Sequence, residues 1–448
     1  MFTLHTGRLI NCGKNGRLGV FFTICCRIFA AETKRTMTFI YNLSIRVYTF
    51  LIRVVSPFNE KARFWIRGRK GLLKQMAAKI DGSKPVVWFH SSSLGEFEQG
   101  RPVIEAFKAK YPDYAVLLTF FSPSGYEVRK NYAGADYVFY LPADTRRNAK
   151  RFMQIVKPKA ALFIKYDFWY NYLNQLHKAG VPTYVFSSIF RPQQTFFNWY
   201  GGWYRNLLKF FTLLFVQDEN SKQLLAGIGI TNVQVGGDTR FDRVYDLVQQ
   251  AKPQPIIERF VAGADKVLVA GSTWSGDEEL LCKYANEHDI KMIIAPHETT
   301  EANVSRVESS CTGKVVRYTD AQADESKVDG AKVLIINCIG LLSALYRYGQ
   351  LSYIGGGFGK GIHNTLEAAT YSVPVVFGPK YHKFREACQL IERGAAISIS
   401  DYEQLARAFD HYLANPDDCK RAGQKASAYV DEMRDGTQLI MKEIKFKE

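Results

Sequence analysis

The fold is decided by residues 88–99, which have the sequence W-F-H-S-S-S-L-G-E-F-E-Q. An apolar run that begins at Val86 and ends at His90 is typical of a short, buried β-strand. Beyond the small residues that follow, apolar side chains recur at helical spacing as far as Phe107, which indicates a helix. Glu96 therefore stands where a strand passes into a helix, at the edge of an open α/β sheet where ligands bind.

The position of Glu96 allows two interpretations. A carboxylate beside small residues, which let a substrate approach closely, is a candidate general base. The alternative is an ordinary residue of the first helical turn, stabilised by the helix dipole.

Length and charge limit the classes of protein to consider. The chain has 448 residues, enough for two or three domains, and 47% of them are hydrophobic, so it can bury large cores. The net charge is +16, of which residues 1–80 carry +13. A basic end beside an apolar segment favours an anionic membrane surface as partner. The chain lacks a basic–aromatic RNA-binding signature and zinc-finger spacing, so we expect no nucleic acid partner.

The eight cysteines are scattered and none forms a C-x-x-C pair. This usage is typical of reduced thiols in a cytosolic protein rather than of a disulfide framework. Cys338 follows an apolar run and is predicted to be a small core residue.

The N-terminal region divides at Met37. Residues 1–36 are unlike the rest, and we interpret them as a gene-model extension; the alternative is a signal peptide. Residues 37–57 are mainly apolar, and five polar side chains spaced 4, 3, 4 and 3 apart form one polar stripe on a helix: Asn42, Arg46, Thr49, Arg53 and Ser56. Two arginines make a bilayer crossing costly, about 2.5–3.5 kcal/mol each at its centre, so we predict an interfacial anchor.

A basic cluster follows the predicted anchor and completes the segment 37–80. It fits anionic headgroups or a negatively charged lipid substrate, and the alternative is a merely solvated basic helix. Its members are Lys61, Arg63, Arg67, Arg69, Lys70, Lys74 and Lys79.

Two series of short apolar runs alternate with helical patterns, which predicts two doubly wound parallel sheets. We place an N-terminal domain at 81–245 and a C-terminal domain at 246–448. Two similar α/β domains joined near the middle of the chain predict a ligand cleft between them. The runs lie at 86–90, 115–120, 137–141, 160–164, 182–187, 212–217 and 233–238, and at 266–270, 291–295, 332–336, 351–354, 373–377 and 395–399.

Small and polar residues end several predicted strands of the second half. The glycine-rich turn at 355–357 leads towards a helix, and backbone amides at such a turn suit a phosphate. Glu367 could accept hydrogen bonds from ribose hydroxyls. The turn does not match G-x-G-x-x-G, so a nicotinamide cofactor is not predicted. The candidate binding residues include Ser272, Thr273, Pro296, His297, Gly356, Gly357 and His363, and either histidine could instead be structural.

Charged residues also end strands of the first half. Lys165 and Asp167 follow the run 160–164 and are expected on the same rim as Glu96. Arg240, in the predicted domain junction, could offset negative charge that develops in a reaction. The alternative for Arg240 and Asp242 is a hinge ion pair. The sequence shows no metal-ligand cluster and no G-x-S-x-G nucleophile elbow.

Three motifs, H-S-S-S-L-G-E at 90–96, G-D-T-R-F-D at 237–242 and H-N-T-L-E-A-A at 363–369, resemble those of the 3-deoxy-D-manno-octulosonic acid (Kdo) transferases of lipopolysaccharide synthesis. The resemblance extends from about Met37 to the C-terminal helix. It implies a GT-B fold of two Rossmann-like domains, without metal or cofactor. It also implies transfer of Kdo from CMP-Kdo to a lipid A precursor of the lipid IVA type, with inversion, at the cytoplasmic face of the inner membrane.

The resemblance also implies roles for individual residues. Glu96 becomes the general base, with Arg240, Asp167 and Lys165 supporting the reaction. CMP is expected in the C-terminal domain, near Pro296, His297, Ile339, Gly340, Leu341, Asn364, Thr365, Leu366 and Glu367. The chain departs from the family where Lys165 replaces the first acid of Glu-x-Glu, Arg240 replaces a lysine and Leu341 replaces a glutamate.

Three other functions are compatible with parts of the pattern. The first is another GT-B transferase, or a sugar-nucleotide epimerase, that uses a UDP-sugar. The second is a non-catalytic, membrane-associated sugar-binding protein. The third is a nucleic-acid binder that uses the basic region 37–80.

Overall fold

The computed structural model describes the backbone of residues 16–447 and the side chains of residues 35–447. The predicted extension, residues 1–36, lies almost wholly outside the described side chains. The chain divides into two compact units. The first contains the chain up to Phe97, Phe107–Val235 and the C-terminus from Glu443; the second contains Glu98–Ala106 and Gly236–Lys442.

The first unit is built on a seven-stranded parallel sheet of order β3-β2-β1-β4-β5-β6-β7. Every residue of β1, β2, β4 and β5 is buried, because helices cover both faces of the sheet. The strands are β1 (Val86–Ser91), β2 (Ala115–Phe120), β3 (Tyr137–Tyr140), β4 (Ala160–Ile164), β5 (Thr183–Ser188), β6 (Leu213–Val216) and β7 (Val233–Val235).

Nine helices accompany this sheet in the described part of the chain. They are α1 (Gly16–Val55), α2 (Glu60–Arg67), α3 (Leu72–Lys79), α4 (Leu94–Lys110), α5 (Pro123–Arg129), α6 (Arg146–Val156), α7 (Tyr170–Lys178), α8 (Gly202–Leu208) and α9 (Glu219–Gly227), with a 3₁₀ turn at Thr195–Phe197.

The second unit contains another seven-stranded parallel sheet, of order β10-β11-β9-β8-β12-β13-β14. Its strands are β8 (Val267–Thr273), β9 (Lys291–Pro296), β10 (Val315–Arg317), β11 (Val333–Ile335), β12 (Leu351–Ile354), β13 (Val375–Phe377) and β14 (Ala396–Ser398). The edge strand β10 was not predicted, because it has only two apolar residues.

Helices also cover the second sheet. They are α10 (Arg240–Gln250), α11 (Pro255–Val261), α12 (Ser275–Glu287), α13 (Glu301–Ser310), α14 (Tyr318–Ala323), α15 (Leu342–Leu345), α16 (Leu366–Thr370), α17 (Arg385–Glu392), α18 (Tyr402–Ala414), α19 (Pro416–Met433) and α20 (Gly436–Glu443), with 3₁₀ turns at Glu325–Val328 and Tyr346–Tyr348.

The strand orders locate the ligand-binding edges of the two sheets. In the first unit the chain moves outward from β1 to β3 and then returns to β4 on the other side of β1. In the second unit the same reversal separates β8 from β12. Crevices at the carboxyl ends of such strand pairs are where open α/β sheets bind ligands. The loops after β1 and β4, and those after β8 and β12, are therefore the places to examine.

The segment Arg35–Val55 of α1 is the one helix among the described residues that is long and apolar enough to cross a membrane. Its apolar side chains are largely exposed; Phe39 and Phe50 are 68% and 61% exposed. The polar stripe faces the rest of the first unit. Asn42 accepts a hydrogen bond from Asn171 at 3.1 Å, and the neighbouring Tyr41 donates one to Asp144 at 2.6 Å.

The described cysteines are free thiols: Cys282, Cys311, Cys338, Cys388 and Cys419. Cys338 is half-buried and packs against the hydrophobic core of the second unit. The Sγ atoms of Cys282 and Cys311 lie 3.0 Å apart.

Candidate active site

Glu96 lies in the first turn of α4, directly after the carboxyl end of β1. The hydroxyl of Ser93 caps this helix and accepts from the Glu96 amide. The backbone amide of Ser92 donates to Oε2 of Glu96 at 2.5 Å. Burial raises the pKa of Glu96, whereas that amide and the charge of Lys165 oppose the rise. The site thus holds a carboxylate that is half-buried and close to a positive charge.

Asp167 lies in the loop after β4, and Ser92 connects it to Glu96. The hydroxyl of Ser92 donates to Oδ1 of Asp167, while its amide holds Glu96. Asp167 is 8% exposed, and its Oδ2 atom lies 3.3 Å from Nε2 of the buried His90. Burial first, and then the charge of Glu96, raise the pKa of Asp167 well above its ordinary value.

Lys165 follows the last residue of β4 and adopts a left-handed backbone conformation, with φ of +65°. Its amide donates to the carbonyl of Phe186 at 2.9 Å, and its carbonyl accepts from the Ser188 hydroxyl. These bonds hold the unusual conformation in place. The structure therefore brings the predicted residues Glu96, Asp167 and Lys165 together at one edge of the first sheet.

Three aromatic rings stack at the corresponding edge of the second sheet. Trp274 lies 4.7 Å from His297, and His297 lies 4.5 Å from His363, all between ring centroids and with interplanar angles of 24°. The indole of Trp274 also donates to Nε2 of His363 at 3.0 Å. Burial, helped by the neighbouring His297, lowers the pKa of His363 to about 4. The predicted residues His297 and His363 thus meet in one aromatic wall.

The glycine-rich turn after β12 packs tightly on the end of β8. A Cβ atom on Gly355 would lie 2.3 Å from the carbonyl oxygen of Ser272, so only glycine fits there. The buried Asp277 accepts from the amides of Gly356 and Trp274, at 2.8 and 2.9 Å. This carboxylate anchors both loops, and it uses backbone donors that were expected to be available to a phosphate.

The segment after this turn enters the short helix α16. The side chain of Asn364 accepts from the Leu366 amide at 3.2 Å and donates to Glu367 at 3.0 Å. Burial raises the pKa of Glu367. The hydroxyl of Thr365 is fully buried, and no described residue forms a hydrogen bond with it. Asn364 and Glu367 therefore form a preorganised polar pair.

The remaining predicted binding residues lie at strand ends and in one loop of the same unit. Thr273 is the last residue of β8 and donates to the buried Glu278 at 3.0 Å, and Pro296 ends β9. Ile339 is 93% exposed, and Gly340 has a φ of +102°. Ile339 therefore leaves a large apolar side chain free to contact a ligand.

Arg240 begins α10 in the second unit and is held by two carboxylates. Its guanidinium donates to Asp238 at 2.8 and 3.0 Å and to Glu386 at 2.9 Å. Asp242, on the same helix, instead accepts from the Thr437 amide and hydroxyl and the Asp435 amide. Arg240 therefore pairs with Asp238 and Glu386, and Asp242 pairs with Asp435 and Thr437, instead of the two forming an ion pair with each other.

Sequence reasoning did not assign roles to several residues that shape these sites. Ser92 and His90 lie within the motif at 90–96, but the sequence does not show that they contact Asp167. Trp274 directly follows the predicted residue Thr273, which is the one signal that could have identified it. Asp277 has no sequence signal beyond its position in the first turn of α12.

A family model described as 3-deoxy-D-manno-octulosonic-acid transferase (kdotransferase) matches residues 65–243. The chain is similar to the 3-deoxy-D-manno-octulosonic acid transferase of Aquifex aeolicus, with 24% identity over 80% of this chain and 95% of that protein. The Haemophilus influenzae transferase of the same name is 23% identical over 79% of this chain and 85% of its own length. The chain is thus similar to Kdo transferases in its N-terminal half by the family model and over most of its length by these relatives.

Solved structures agree with the predicted GT-B fold. A putative UDP-N-acetylglucosamine 2-epimerase from Listeria monocytogenes has a TM-score of 0.54 at 16% identity, covering 80% of this chain and 95% of that one. UDP-GlcNAc 2-epimerase from Neisseria meningitidis has the same TM-score at 14% identity, covering 80% and 98%. These likenesses establish the fold alone. The predicted fold class is thereby confirmed, and the roles of single residues stay predictions.

Proposed function

We propose that this protein is a Kdo transferase, which moves Kdo from CMP-Kdo to a lipid A precursor of the lipid IVA type, with inversion at the anomeric carbon. The observation that carries the proposal is the carboxylate of Glu96 at the edge between β1 and β4, held by the Ser92 amide. In the proposed step, Glu96 accepts the proton of the acceptor hydroxyl as that oxygen attacks the anomeric carbon. The bond to the CMP phosphate breaks, and CMP leaves from the opposite face.

The donor is proposed to bind the second unit, at the edge formed by β8, β9 and β12. The aromatic wall of Trp274, His297 and His363 offers a flat surface for the cytosine ring. Asn364 and Glu367, which are hydrogen-bonded to each other within the motif at 363–369, are proposed to bind ribose hydroxyls. Arg240, with Asp167 and Lys165, is proposed to support the charge distribution of the transition state.

The acceptor and the membrane are proposed to meet the first unit along α1. Two pockets open beside the polar stripe, and no acidic side chain is among their described lining residues. The basic residues that line them are Arg35, Arg46, Arg146 and Arg147 in one pocket, and Arg53, Arg67, Arg69, Lys70, Lys74 and Arg151 in the other. Positive pockets beside an exposed apolar helix suit anionic headgroups at the cytoplasmic face of the inner membrane.

Arg69 is the exception within the basic cluster. Its guanidinium is buried and donates to the carbonyls of Leu141 at 2.9 Å and Phe121 at 2.7 Å. It also lies 3.8 Å from the ring centre of Trp65. Arg69 therefore stabilises the fold of the first unit, and the other basic residues are left for the proposed contact with anionic lipid.

A transfer assay tests the proposal. Protein from Met37 onward receives CMP-Kdo, a tetra-acylated lipid A precursor and a metal chelator, and mass spectrometry measures the lipid product. We expect a Kdo mass increment in the wild type, with chelator present because the reaction is proposed to need no metal. Loss of activity on chelation, restored by a divalent cation, would contradict metal independence.

Matched carboxylate variants test the role of Glu96. Glu96→Ala should abolish the increment, while Glu98→Ala, two residues further along α4, should keep it. Transfer that persists in Glu96→Ala would remove Glu96 from its proposed role. A covalent glycosyl-enzyme would contradict a single inverting displacement.

A direct binding comparison separates the proposal from a UDP-sugar enzyme. Isothermal titration of the wild type with CMP and with UDP should give tighter binding of CMP. Preference for UDP, together with no Kdo increment in a folded protein, would favour the alternative transferase or epimerase.

A further inference from the structure

The hydrogen bonds of His90 define its protonation state. Nδ1 lies 3.1 Å from the carbonyl oxygen and 2.8 Å from the hydroxyl of Thr119, and both of these oxygens can accept a hydrogen from Nδ1. The indole of Trp169 can only donate, and it donates to Nε2 at 3.0 Å. Nε2 is therefore an acceptor and His90 is neutral. Burial, which lowers the pKa of His90 to about 3, agrees with this assignment.

This tautomer has a consequence for Asp167. Oδ2 of Asp167 lies 3.3 Å from Nε2 of His90, and although it is buried it has no hydrogen-bond partner among the residues that the structure describes. An ionised carboxylate would place an unpaired, charged oxygen against the lone pair of Nε2 in a dry site, which is costly. A hydrogen on Oδ2 removes the negative charge, and it can point towards Nε2, where it shares the single lone pair with the Trp169 indole. Oδ1 already accepts from the Ser92 hydroxyl.

We propose that His90, fixed as its Nδ1–H tautomer by Thr119 and Trp169, keeps Asp167 as a neutral carboxylic acid, so that Glu96 is the only ionised carboxylate of the site. The proposal rests on the proposed role of Glu96 as base. His90, Trp169 and Asp167 are then positioning residues: neutral Asp167 orients Ser92, whose amide holds Glu96.

The surrounding charges are consistent with this distribution. Glu96 on α4 is the acidic group that faces Asp167, and its negative charge opposes ionisation of Asp167. Lys165, from the loop after β4, favours the charged form of Glu96. Arg69 opposes a second positive charge on His90. Together, these groups favour one negative charge on Glu96 beside one positive charge on Lys165.

Infrared spectroscopy tests the protonation of Asp167 directly. The full-length enzyme is labelled with ¹³C at its aspartate carboxyls, and the spectrum of Asp167→Asn is subtracted from that of the wild type at about pH 7.5. We expect a ¹³C-shifted carbonyl stretch of a protonated carboxyl that is absent in the variant. A carboxylate band in its place would overturn the proposal.

The acidic limb of the pH profile of kcat/KM gives a second measurement. Asn is neutral and can reproduce both hydrogen bonds, so Asp167→Asn should leave the apparent pKa of this limb within about 0.3 unit. A shift to lower pH by about one unit or more would show that Asp167 is charged in the wild type and would overturn the proposal.

Lys165→Asn serves as the positive control, since Asn tolerates a positive φ. Loss of the Lys165 charge should move the acidic limb to higher pH by about one unit.

If Asp167→Asn does not fold, a protonated aspartate band in the wild type at about pH 8 supports the proposal and its absence overturns it. The infrared band is measured on resting enzyme, so its result does not depend on whether Glu96 is the base.

Discussion

The two sheets have matching strand-order reversals, yet the side chains at their ligand-binding edges differ in kind. Between β1 and β4 the first unit gathers Glu96, Asp167 and Lys165. In this cluster the charge of Lys165 lowers the pKa of Glu96, and the charge of Glu96 raises the pKa of Asp167. At the edge of β8 and β12, the second unit presents stacked aromatic rings and a glycine-rich turn.

This difference indicates that the first unit is suited to proton transfer and the second unit to nucleotide binding. Burial beside a neighbouring charge tunes a carboxylate for proton transfer, which is a property that catalysis needs. Rigid rings and close-packed glycines provide a shaped surface, which is a property that nucleotide binding needs. We therefore expect changes in the first unit to alter rate, and changes in the second unit to alter stability and donor affinity.

The largest expected effect concerns Glu96. Glu96→Gln should lower kcat about 10²–10⁴-fold, the range typical of a lost general base, because the amide cannot accept the acceptor's proton. The dissociation constant for CMP should stay within about twofold, because the predicted CMP residues belong to the second unit. Steady-state kinetics and calorimetry measure the two quantities. A parallel loss of CMP affinity would break the comparison.

The next effect is structural and belongs to the second unit. Gly355→Ala should lower the free energy of unfolding by about 1–3 kcal/mol, because its Cβ would lie 2.3 Å from the Ser272 carbonyl oxygen. Gly359→Ala is the control, since its Cβ would lie 3.6 Å from the nearest atom, the carbonyl oxygen of Gly356. Urea unfolding measures both variants. Equal losses would show that close packing at Gly355 is not the cause.

Trp274 sharpens the binding side of the comparison. Trp274→Ala removes one ring of the aromatic wall, and we expect CMP affinity to fall about three- to tenfold while kcat changes less. Trp199→Ala, an exposed tryptophan of the first unit, should leave CMP affinity unchanged. A fall in kcat with normal CMP affinity would assign Trp274 to the reaction rather than to binding.

The smallest effect is a dependence of stability on pH. The pKa of His363 is lowered to about 4, so between about 6.5 and 4 the unfolded chain binds a proton that the folded chain does not. Stability is therefore lost as pH falls through this window. His363→Gln should reduce that loss by no more than about 1 kcal/mol, since the side chain is partly exposed to solvent.

Thermal unfolding at several pH values measures this change. His411→Gln, at an exposed position on α18, is the control and should not reduce the acid-dependent loss. A steeper loss of stability in His363→Gln would contradict the lowered pKa of His363.

The sequence predicted both parallel sheets because their central strands are continuous apolar runs, of which Val86–Ser91 is the clearest. It did not predict β10, where two valines at a sheet edge carry too little pattern. It predicted the polar stripe of α1 from spacing alone. Only the structure shows that Asn42 of this stripe contacts the first unit, because its hydrogen-bond partner, Asn171, is distant in the chain.

Local pattern by itself determined where strands give way to helices, and hence that Glu96, Lys165 and His363 stand at strand ends. Only the tertiary structure decided which of these ends meet, because strand order depends on packing among distant segments. Ser92 joins Glu96 to Asp167, Trp169 fixes the tautomer of His90, and Trp274 completes a stack with two histidines. Charge and protonation follow from such contacts, since burial and neighbouring dipoles, not residue type alone, set a pKa.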